Sequence, residues 1–204
     1  MGSVVATMAK TMALGGVAFN ENPGSTVTGD AMIVHSLSVG VTTSADGTLT
    51  TRTSDTAGTL TMDDSGHGIE TGDRLDIYWT GGVAYGATVG VVSGASVPFT
   101  LAEGDVLPSA LTDVTAFVPV ELDIGVLGTN VVAIILHTTI HGMFVFDDAG
   151  GIELAKELGD GVTWSWREDN GEANPITGDT ITKVYVSHDG DAAATMKVGI
   201  LYDN

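Results

Sequence analysis

The side chains best suited to chemistry in this 204-residue chain are five histidines and 26 acidic residues. His137 and His141 have the i, i+4 spacing that brings two imidazoles together on a helix to hold a metal ion. The surrounding sequence is rich in β-forming residues, and on a strand these two positions share a face but lie about 13 Å apart. One metal ion cannot bridge that distance, and Thr138 stands where a zinc-protease motif needs Glu. We therefore predict no metal site at this pair.

The segment Asp63-Asp-Ser-Gly-His-Gly68 begins like an EF-hand calcium loop. Gly68 falls at the required position six, but His67 occupies position five and Arg74 occupies position twelve, where a bidentate Glu is needed. The sequence therefore predicts no EF-hand. Weak calcium binding at acidic turns stays open as an alternative, either at Asp147-Asp148 or at Asp189 with Asp191.

Sequence motifs of nucleophilic and phosphate-binding enzymes do not occur in the chain. There is no Gly-x-Ser-x-Gly elbow and no glycine-rich phosphate loop. The acidic residues contain pairs that glycoside hydrolysis could use, but the sequence singles none out. A group of aromatic residues could form either a sugar-stacking platform or part of a core or subunit interface: Tyr78, Tyr85, Trp79, Trp164 and Trp166. We predict a protein that is not an enzyme, with no catalytic, cofactor-binding or metal-ligating residues and no cofactor.

The charge balance limits the partners of this protein. Only seven Lys and Arg residues oppose the acids, which gives a formal net charge of −19. Binding to nucleic acid or to anionic lipid requires a basic surface, so neither partner is expected. The chain has no cysteine and no apolar run of the length that a membrane-spanning helix needs. We therefore expect no disulfide, no thiolate chemistry and no membrane partner.

Short β-prone runs between turn residues predict an all-β fold. Apolar residues alternate with polar ones in residues 182–187 and again in residues 196–202, and the turn at 188–191 predicts a hairpin between these strands. Val131–Leu136 is apolar throughout, which predicts a central strand that is buried on both faces. Residues 152–158 are too few for an isolated helix and are predicted as a strand or a single turn. Further turns are predicted at Asp46-Gly47, Asp64-Ser65-Gly66, Gly81-Gly82 and Asn170-Gly171.

A shift in composition predicts two folded units and an N-terminal arm. Residues 58–118 form a compact series of strands and turns, predicted as a small β-barrel module that is inserted or appended. Residues 20–57 and 119–204 are predicted to form a β-sandwich with a jelly-roll-like arrangement. Residues 1–19 carry a single charge, Lys10, between Val4 and Phe19 and are expected to dock on a neighbouring subunit.

The stretch from Ser65 to Tyr78 resembles a module of tailed-bacteriophage structural proteins, in which a His-Gly-hydrophobic-x-x-Gly-Asp-x-hydrophobic turn opens a small β-barrel. The residues at the matching positions are His67, Gly68, Ile69, Gly72, Asp73 and Leu75. The two glycines permit tight turns, and Asp73 can cap a turn before a strand from Leu75 to Trp79. The resemblance covers about 15 residues.

The C-terminal third is similar to β-sandwich proteins encoded beside phage capsid and tail genes. The similarity lies in its Trp-x-Trp strand, its Asn174-Pro175 turn and its closing Val-Gly-Ile-Leu-Tyr hairpin. These resemblances imply a virion protein with no catalytic residues, which decorates or cements a capsid by symmetric assembly with itself and with the major capsid or other virion proteins. Two alternatives stay open: a tail or vertex-associated virion protein, and an extracellular carbohydrate-binding or adhesion module.

Overall fold

Antiparallel β-strands form nearly all of the regular structure in the computed structural model. The residues it describes are 4–8, 12–14, 17–19, 25–29, 31–101, 106–123, 130–148, 151–176 and 183–203, with side chains described in 34–101, 106–122, 130–147, 151–176 and 183–202. The chain divides into two units, of which one combines Met1–Val41 with Glu121–Asn204 and the other is Thr42–Val120. The predicted all-β fold class is confirmed.

Eight strands of the first unit form two four-stranded sheets. Their bounds are Ala31–Val39 (β5), Val120–Asp123 (β12), Asn130–Thr138 (β13), Gly142–Asp148 (β14), Gly151–Leu158 (β15), Thr163–Arg167 (β16), Lys183–His188 (β17) and Ala194–Asp203 (β18). One sheet has the order β16-β13-β18-β5 and the other has the order β12-β17-β14-β15. A short 3-10 helix, Glu168–Asn170, follows β16. We call this unit the sandwich.

The strand pairing in the sandwich is that of a jelly roll. Of the eight strands, the first pairs with the last (β5 with β18) and the second with the seventh (β12 with β17). The third pairs with the sixth (β13 with β16), and the two middle strands, β14 and β15, pair with each other. This nested pattern arises when one long antiparallel hairpin is rolled into two facing sheets. The predicted jelly-roll-like arrangement is therefore present.

A single apolar cluster joins the two sheets of the sandwich. Ile134 and Val198 from one sheet and Phe144 and Val184 from the other are all at most 1% exposed and belong to this cluster. The predicted alternation is confirmed, because every second residue of β18 contributes to it: Met196, Val198, Ile200 and Tyr202. The predicted central strand is confirmed as β13, in which Val131–Leu136 is buried throughout. Residues 151–158 are a strand, as predicted.

The predicted hairpin between β17 and β18 is wrong. β17 pairs with β14 in one sheet, whereas β18 pairs with β13 and β5 in the other. The turn at residues 189–193 therefore crosses from one sheet to the other. The crossing lets Val184 and Val198 reach the same apolar cluster from opposite sides, which a flat hairpin would not do.

The N-terminal region forms short strands of its own. These are Val4–Met8 (β1), Met12–Leu14 (β2), Val17–Phe19 (β3) and Ser25–Gly29 (β4). β1 pairs with β4, and β2 pairs with β3, in two separate two-stranded sheets. Residues 4–8, 12–14 and 17–19 thus take no part in the hydrogen-bond ladders of the two four-stranded sheets.

Six strands of the second unit close into a barrel. They are Thr43–Arg52 (β6), Ala57–Met62 (β7), Arg74–Trp79 (β8), Gly82–Val89 (β9), Ser96–Thr100 (β10) and Thr112–Val118 (β11), in the closed order β10-β7-β6-β11-β8-β9. The interior is filled by a second apolar cluster that includes Leu49, Leu60, Leu75, Ile77 and Val97. The barrel is inserted between β5 and β12, the first two strands of the jelly roll. We call this unit the barrel.

The barrel begins at Thr42, so that β6 is a barrel strand although the sequence analysis assigned residues 20–57 to the sandwich. The predicted turn at Asp46-Gly47 is wrong, because both residues lie inside β6. Gly47 is required there by close packing: a Cβ at this position would lie 2.6 Å from the carbonyl oxygen of Thr61. The glycine that indicated a turn in the sequence therefore marks a close approach of two strands.

Candidate functional site

The outer face of the barrel carries a groove across strands β6, β11 and β8. Alternate residues of each strand point away from the apolar interior, and the pairing register aligns them. Thr115 of β11 lies between Asp46 of β6 on one side and Tyr78 of β8 on the other. Thr48 and Asp113 face each other in a neighbouring row. Side chains from three strands therefore meet at one surface.

This outer groove has a volume of about 610 Å³. That volume is within the range of small-molecule binding sites. Ten residues line it: Asp46, Gly47, Thr48, Asp63, Tyr78, Trp79, Thr80, Asp113, Val114 and Thr115. The described lining thus combines three carboxylates, three hydroxyl-bearing threonines and two aromatic residues, and it contains no Lys or Arg.

Threonine hydroxyls hold two of the carboxylates in the groove. The Oγ1 of Thr115 donates a hydrogen bond of 2.6 Å to Oδ1 of Asp46, and the Oγ1 of Thr48 donates one of 3.4 Å to Oδ1 of Asp113. The backbone N–H of Asp63 donates to the carbonyl oxygen of Asp46. Cross-strand pairs of this kind fix the side-chain directions on a sheet.

The aromatic side of the groove contains a cluster of packed rings. The Tyr78 ring is nearly perpendicular to that of Phe117, with centroids 5.5 Å apart, and to that of Tyr85, with centroids 6.2 Å apart. Edge-to-face packing of this kind is favourable for aromatic pairs. Trp79 packs against the barrel interior. A Cβ on Gly82, its cross-strand partner, would lie 2.6 Å from the Trp79 ring.

A buried carboxylate, Asp76, lies two residues before Tyr78 on the same face of β8. Its Oδ1 accepts a 2.9 Å hydrogen bond from the N–H of Gly86 and lies 3.8 Å from Nε of Arg74. Gly86 has φ +69°, at an irregularity in the β8–β9 pairing. Burial raises the pKa of Asp76 to about 6, although the Gly86 hydrogen bond and the Arg74 charge both act to lower it.

The turn that carries the sequence resemblance is held by its own side chains. The Nδ1 of His67 accepts from the N–H of Ile69, and its Nε2 lies 3.0 Å from the carbonyl oxygen of Gly94. Oδ2 of Asp73 accepts from the N–H of Glu70. Gly68 and Gly72 have positive φ, at +74° and +93°. The predicted cap and the following strand are confirmed, and the turn precedes barrel strand β8.

The two histidines of the i, i+4 pair lie in different environments. His137 is on β13, where its Nδ1 lies 3.0 Å from Oγ1 of Thr163, and its pKa is lowered by burial and by the charge of Lys197. His141 follows β13 in the turn before β14. Among the described side chains, no three His, Asp or Glu residues converge as a metal ion requires.

His141 bridges two carboxylates of the sandwich. Its Nδ1 lies 3.1 Å from Oδ2 of Asp189, and its Nε2 lies 2.6 Å from Oε1 of Glu157. Burial lowers the pKa of His141, but the hydrogen bonds and negative charges of Glu157 and Asp189 raise it by more. Two acidic turns were considered for calcium. In one of them Asp189 contacts His141 and Asp191 is exposed. In the other, the side chain of Asp148 lies outside the described residues.

The five aromatic residues singled out in the sequence separate into two groups. Trp166 is buried in the sandwich core, and Trp164 packs against that core with Nζ of Lys156 4.9 Å from its ring centroid. Tyr78, Tyr85 and Trp79 belong to the barrel. The five residues therefore do not form one platform, and Tyr78 and Trp79 are the two that line the outer groove.

Sequence reasoning did not identify the acidic residues of the groove. Asp46 was assigned to a turn, and Asp113 was one acid among 26. Thr115 and Asp46, which are hydrogen-bonded, are 69 residues apart in the chain. Alternation along the strands was the signal that could have identified these residues. Asp113 and Thr115 flank buried Val114. In the same way, Asp46 and Thr48 flank buried Gly47.

No protein-family model, curated protein or solved structure matches this chain. In the ranges that the structure describes, no helix has the length and apolar character needed to span a membrane. The fold and the side chains of this chain are therefore what indicate its function.

Proposed function

We propose that this protein is a non-enzymatic structural component of a virion, which decorates or cements a phage capsid by association in many copies. The observation that carries the proposal is the jelly-roll pairing of the sandwich, from β5 with β18 to β14 with β15. Jelly rolls are common in viral capsid domains, although they also occur in lectins. Because one fold serves many functions, the jelly roll supports this role by analogy.

The edge strands of the sandwich support an assembly role. In the described part of the chain, each four-stranded sheet ends in two edge strands, β16 and β5 in one sheet and β12 and β15 in the other. An edge strand presents backbone N–H and C=O groups to which a strand of a neighbouring subunit can pair. We expect such edges to pair with other subunits in closed, symmetric homo-oligomers and in contacts with other virion proteins.

The barrel supports the same proposal through its turn. The residues that resemble the bacteriophage module, His67 and Gly68 through Asp73, precede the third strand of a closed barrel. The net charge of −19 is suited to a surface that faces solvent on a crowded particle. A position at the tail or at a vertex is the alternative within the same class.

The first test is quantitative mass spectrometry of gradient-purified particles from the source culture. Hundreds of copies per particle would support a position on the capsid lattice, and tens of copies would support the tail or vertex alternative. Absence from purified particles would contradict the virion proposal and favour the extracellular carbohydrate-binding or adhesion module.

A second test examines how the protein attaches. Deletion of residues 1–19 is expected to abolish attachment to particles while leaving the melting temperature nearly unchanged, because β1, β2 and β3 lie outside the two four-stranded sheets. A variant that attaches normally would contradict docking by this region. A variant that fails to fold would show that the region is needed for folding.

A further inference from the structure

The outer groove of the barrel has the composition of a carbohydrate site and is not explained by the structural role proposed above. Its carboxylates and threonine hydroxyls can bond to sugar hydroxyls, and an aromatic face can pack against the C–H face of a sugar ring. We propose that the outer groove binds a neutral oligosaccharide. This inference goes beyond the proposed function and does not depend on it.

Charge and geometry favour a neutral polyol over an ion. Three carboxylates line the groove, and no basic residue is among the described lining residues, so phosphate, sulfate and nucleic acid would be repelled. A metal ion needs several ligands at one point. Asp46, Asp63 and Asp113 do not form such a cluster among the described side chains. Acceptors spread along a groove match a ligand whose hydroxyl groups are also spread out.

The Asp46 carboxylate is oriented before any ligand binds. Its Oδ1 accepts a short hydrogen bond from Thr115, whereas the 3.4 Å bond from Thr48 holds Asp113 only weakly, and neither Oδ2 has a hydrogen-bond partner among the described residues. The second oxygen of each carboxylate can therefore accept from a ligand hydroxyl. Such preorganisation reduces the entropy lost on binding.

The Tyr78 ring is also restrained by its neighbours. Its plane is nearly perpendicular to those of Phe117 and Tyr85, at 81° and 84°. An aromatic side chain has few rotatable bonds, so it offers a large contact area at a low entropic cost. Tyr78 therefore provides a rigid surface beside the carboxylates.

A row of hydroxyls continues from the groove across β6 to β7. Thr48 of the groove is directly opposite Thr61 in the register, and Oγ1 of Thr61 lies 2.9 Å from Oγ1 of Thr50. These exposed hydroxyls can both donate and accept hydrogen bonds. The row gives the groove room for more than one sugar unit, which is why we infer an oligosaccharide.

The test is binding of the full-length protein to immobilised neutral, amino-bearing and sulfated oligosaccharides, followed by titration calorimetry with the best neutral glycan. Asp46→Asn combined with Asp113→Asn is expected to weaken binding by about tenfold or more, because each lost acceptor was paired with a ligand hydroxyl. Tyr78→Ala is expected to weaken it similarly, and Tyr78→Phe should retain most of the affinity. Affinity should change little from about 0.05 to 0.5 M NaCl, since the ligand is uncharged.

Two controls make the result interpretable. Asp160→Asn removes an exposed carboxylate of the sandwich and should leave binding unchanged. The melting temperature of every variant shows whether it is folded. If Tyr78→Ala does not fold, the Asn and Phe variants, which keep the native shape, still test the inference. Absence of binding to neutral glycans would overturn the inference. Binding that is limited to spermine or to amino-bearing glycans, and that salt abolishes, would overturn it too. Particle copy number tests the virion proposal separately, so either idea can fail alone.

Discussion

The two units of this protein treat the edges of a β-sheet in opposite ways. The barrel closes its six-stranded ladder, so every barrel strand has a partner on both sides. Among the described strands, the two sheets of the sandwich are open and end in four edge strands, β5, β12, β15 and β16. A closed barrel can bind other molecules only through side chains on its outer face or at its ends, whereas an open sheet can also bind through its backbone. The difference suggests that the barrel recognises ligands and the sandwich makes assembly contacts.

The two cores also differ in how they are built. The sandwich core lies between two sheets and contains large aromatic residues, including Phe144, Phe146 and Trp166. The barrel interior is enclosed by a single sheet and is filled mainly by aliphatic residues such as Leu60 and Leu75. Each unit has a core of its own, so a substitution in one core is expected to affect mainly that unit.

The largest expected effect comes from truncating each core. Phe144→Ala should destabilise the sandwich by about 3–5 kcal/mol and Leu60→Ala should destabilise the barrel by about 2–5 kcal/mol, because both side chains are fully buried. Hydrogen–deuterium exchange measured by segment should show faster exchange mainly in the unit that carries the substitution. Val91→Ala, at a side chain that is 78% exposed, is the control and should change little. Equal loosening of both units by Leu60→Ala would contradict separate cores.

The next effect concerns pH and the buried carboxylate of the barrel. The pKa of Asp76 is about 6 in the folded protein and 3.8 in its ordinary state, so the folded state binds the proton more tightly. Its contribution to stability is present below about pH 4 and is lost as the pH rises through 6, a change on the order of 3 kcal/mol. Asp76→Asn should remove this loss, because the amide stays neutral and its oxygen still accepts from Gly86.

Urea unfolding at several pH values between about 4 and 7 measures this change. Asp113→Asn replaces an exposed carboxylate of the same barrel and is the matched control. If Asp76→Asn and the unsubstituted protein show the same pH profile, the buried carboxylate does not titrate as described.

A smaller effect separates two strand glycines at which an added Cβ would meet different kinds of atom. Gly47→Ala would place a Cβ against the backbone carbonyl of Thr61, which cannot move without shifting a barrel strand. Gly142→Ala would meet first the terminal methyl group of Met196, which can change its rotamer. We expect Gly47→Ala to cost about 1–3 kcal/mol and Gly142→Ala to cost less. Denaturant titration of both variants checks the order, and a greater loss for Gly142→Ala would contradict it.

The smallest effect is that of the bridging histidine of the sandwich. The raised pKa of His141 means that its stabilising charge is fully present below about pH 6.5 and is lost as the pH rises through the raised value. The side chain is 44% exposed, so His141→Gln should cost only about 0.5 kcal/mol at low pH and almost nothing at high pH.

Melting temperatures measured at pH values below and above the raised pKa of His141 check the prediction. His137→Gln is the matched comparison, since the pKa of His137 is lowered and its pH dependence should run in the opposite direction. The same slope in both variants would contradict the assignment of the Glu157 and Asp189 contacts as the cause.

The local geometry of this protein follows from residues that are close together in the sequence. Period-two alternation identified the buried faces of β17 and β18, and the continuous apolar run identified β13 as a central strand. The glycines and the aspartate of the turn before β8 indicated its conformation, because φ angles above zero favour glycine and a carboxylate can accept from nearby N–H groups. These features depend on residues that are neighbours in the chain.

Which strands pair, and in what register, follows from long-range packing and is seen only in the folded chain. The tertiary structure separated β17 from β18 into different sheets, placed Asp46-Gly47 inside a strand and brought Asp46, Thr115 and Tyr78 into one row. Alternation fixes the face on which a side chain lies, but it carries no information about the partner strand. The outer groove therefore forms only when β6, β8 and β11 pair. Its residues are distant in the sequence, and the register of these three strands brings them together.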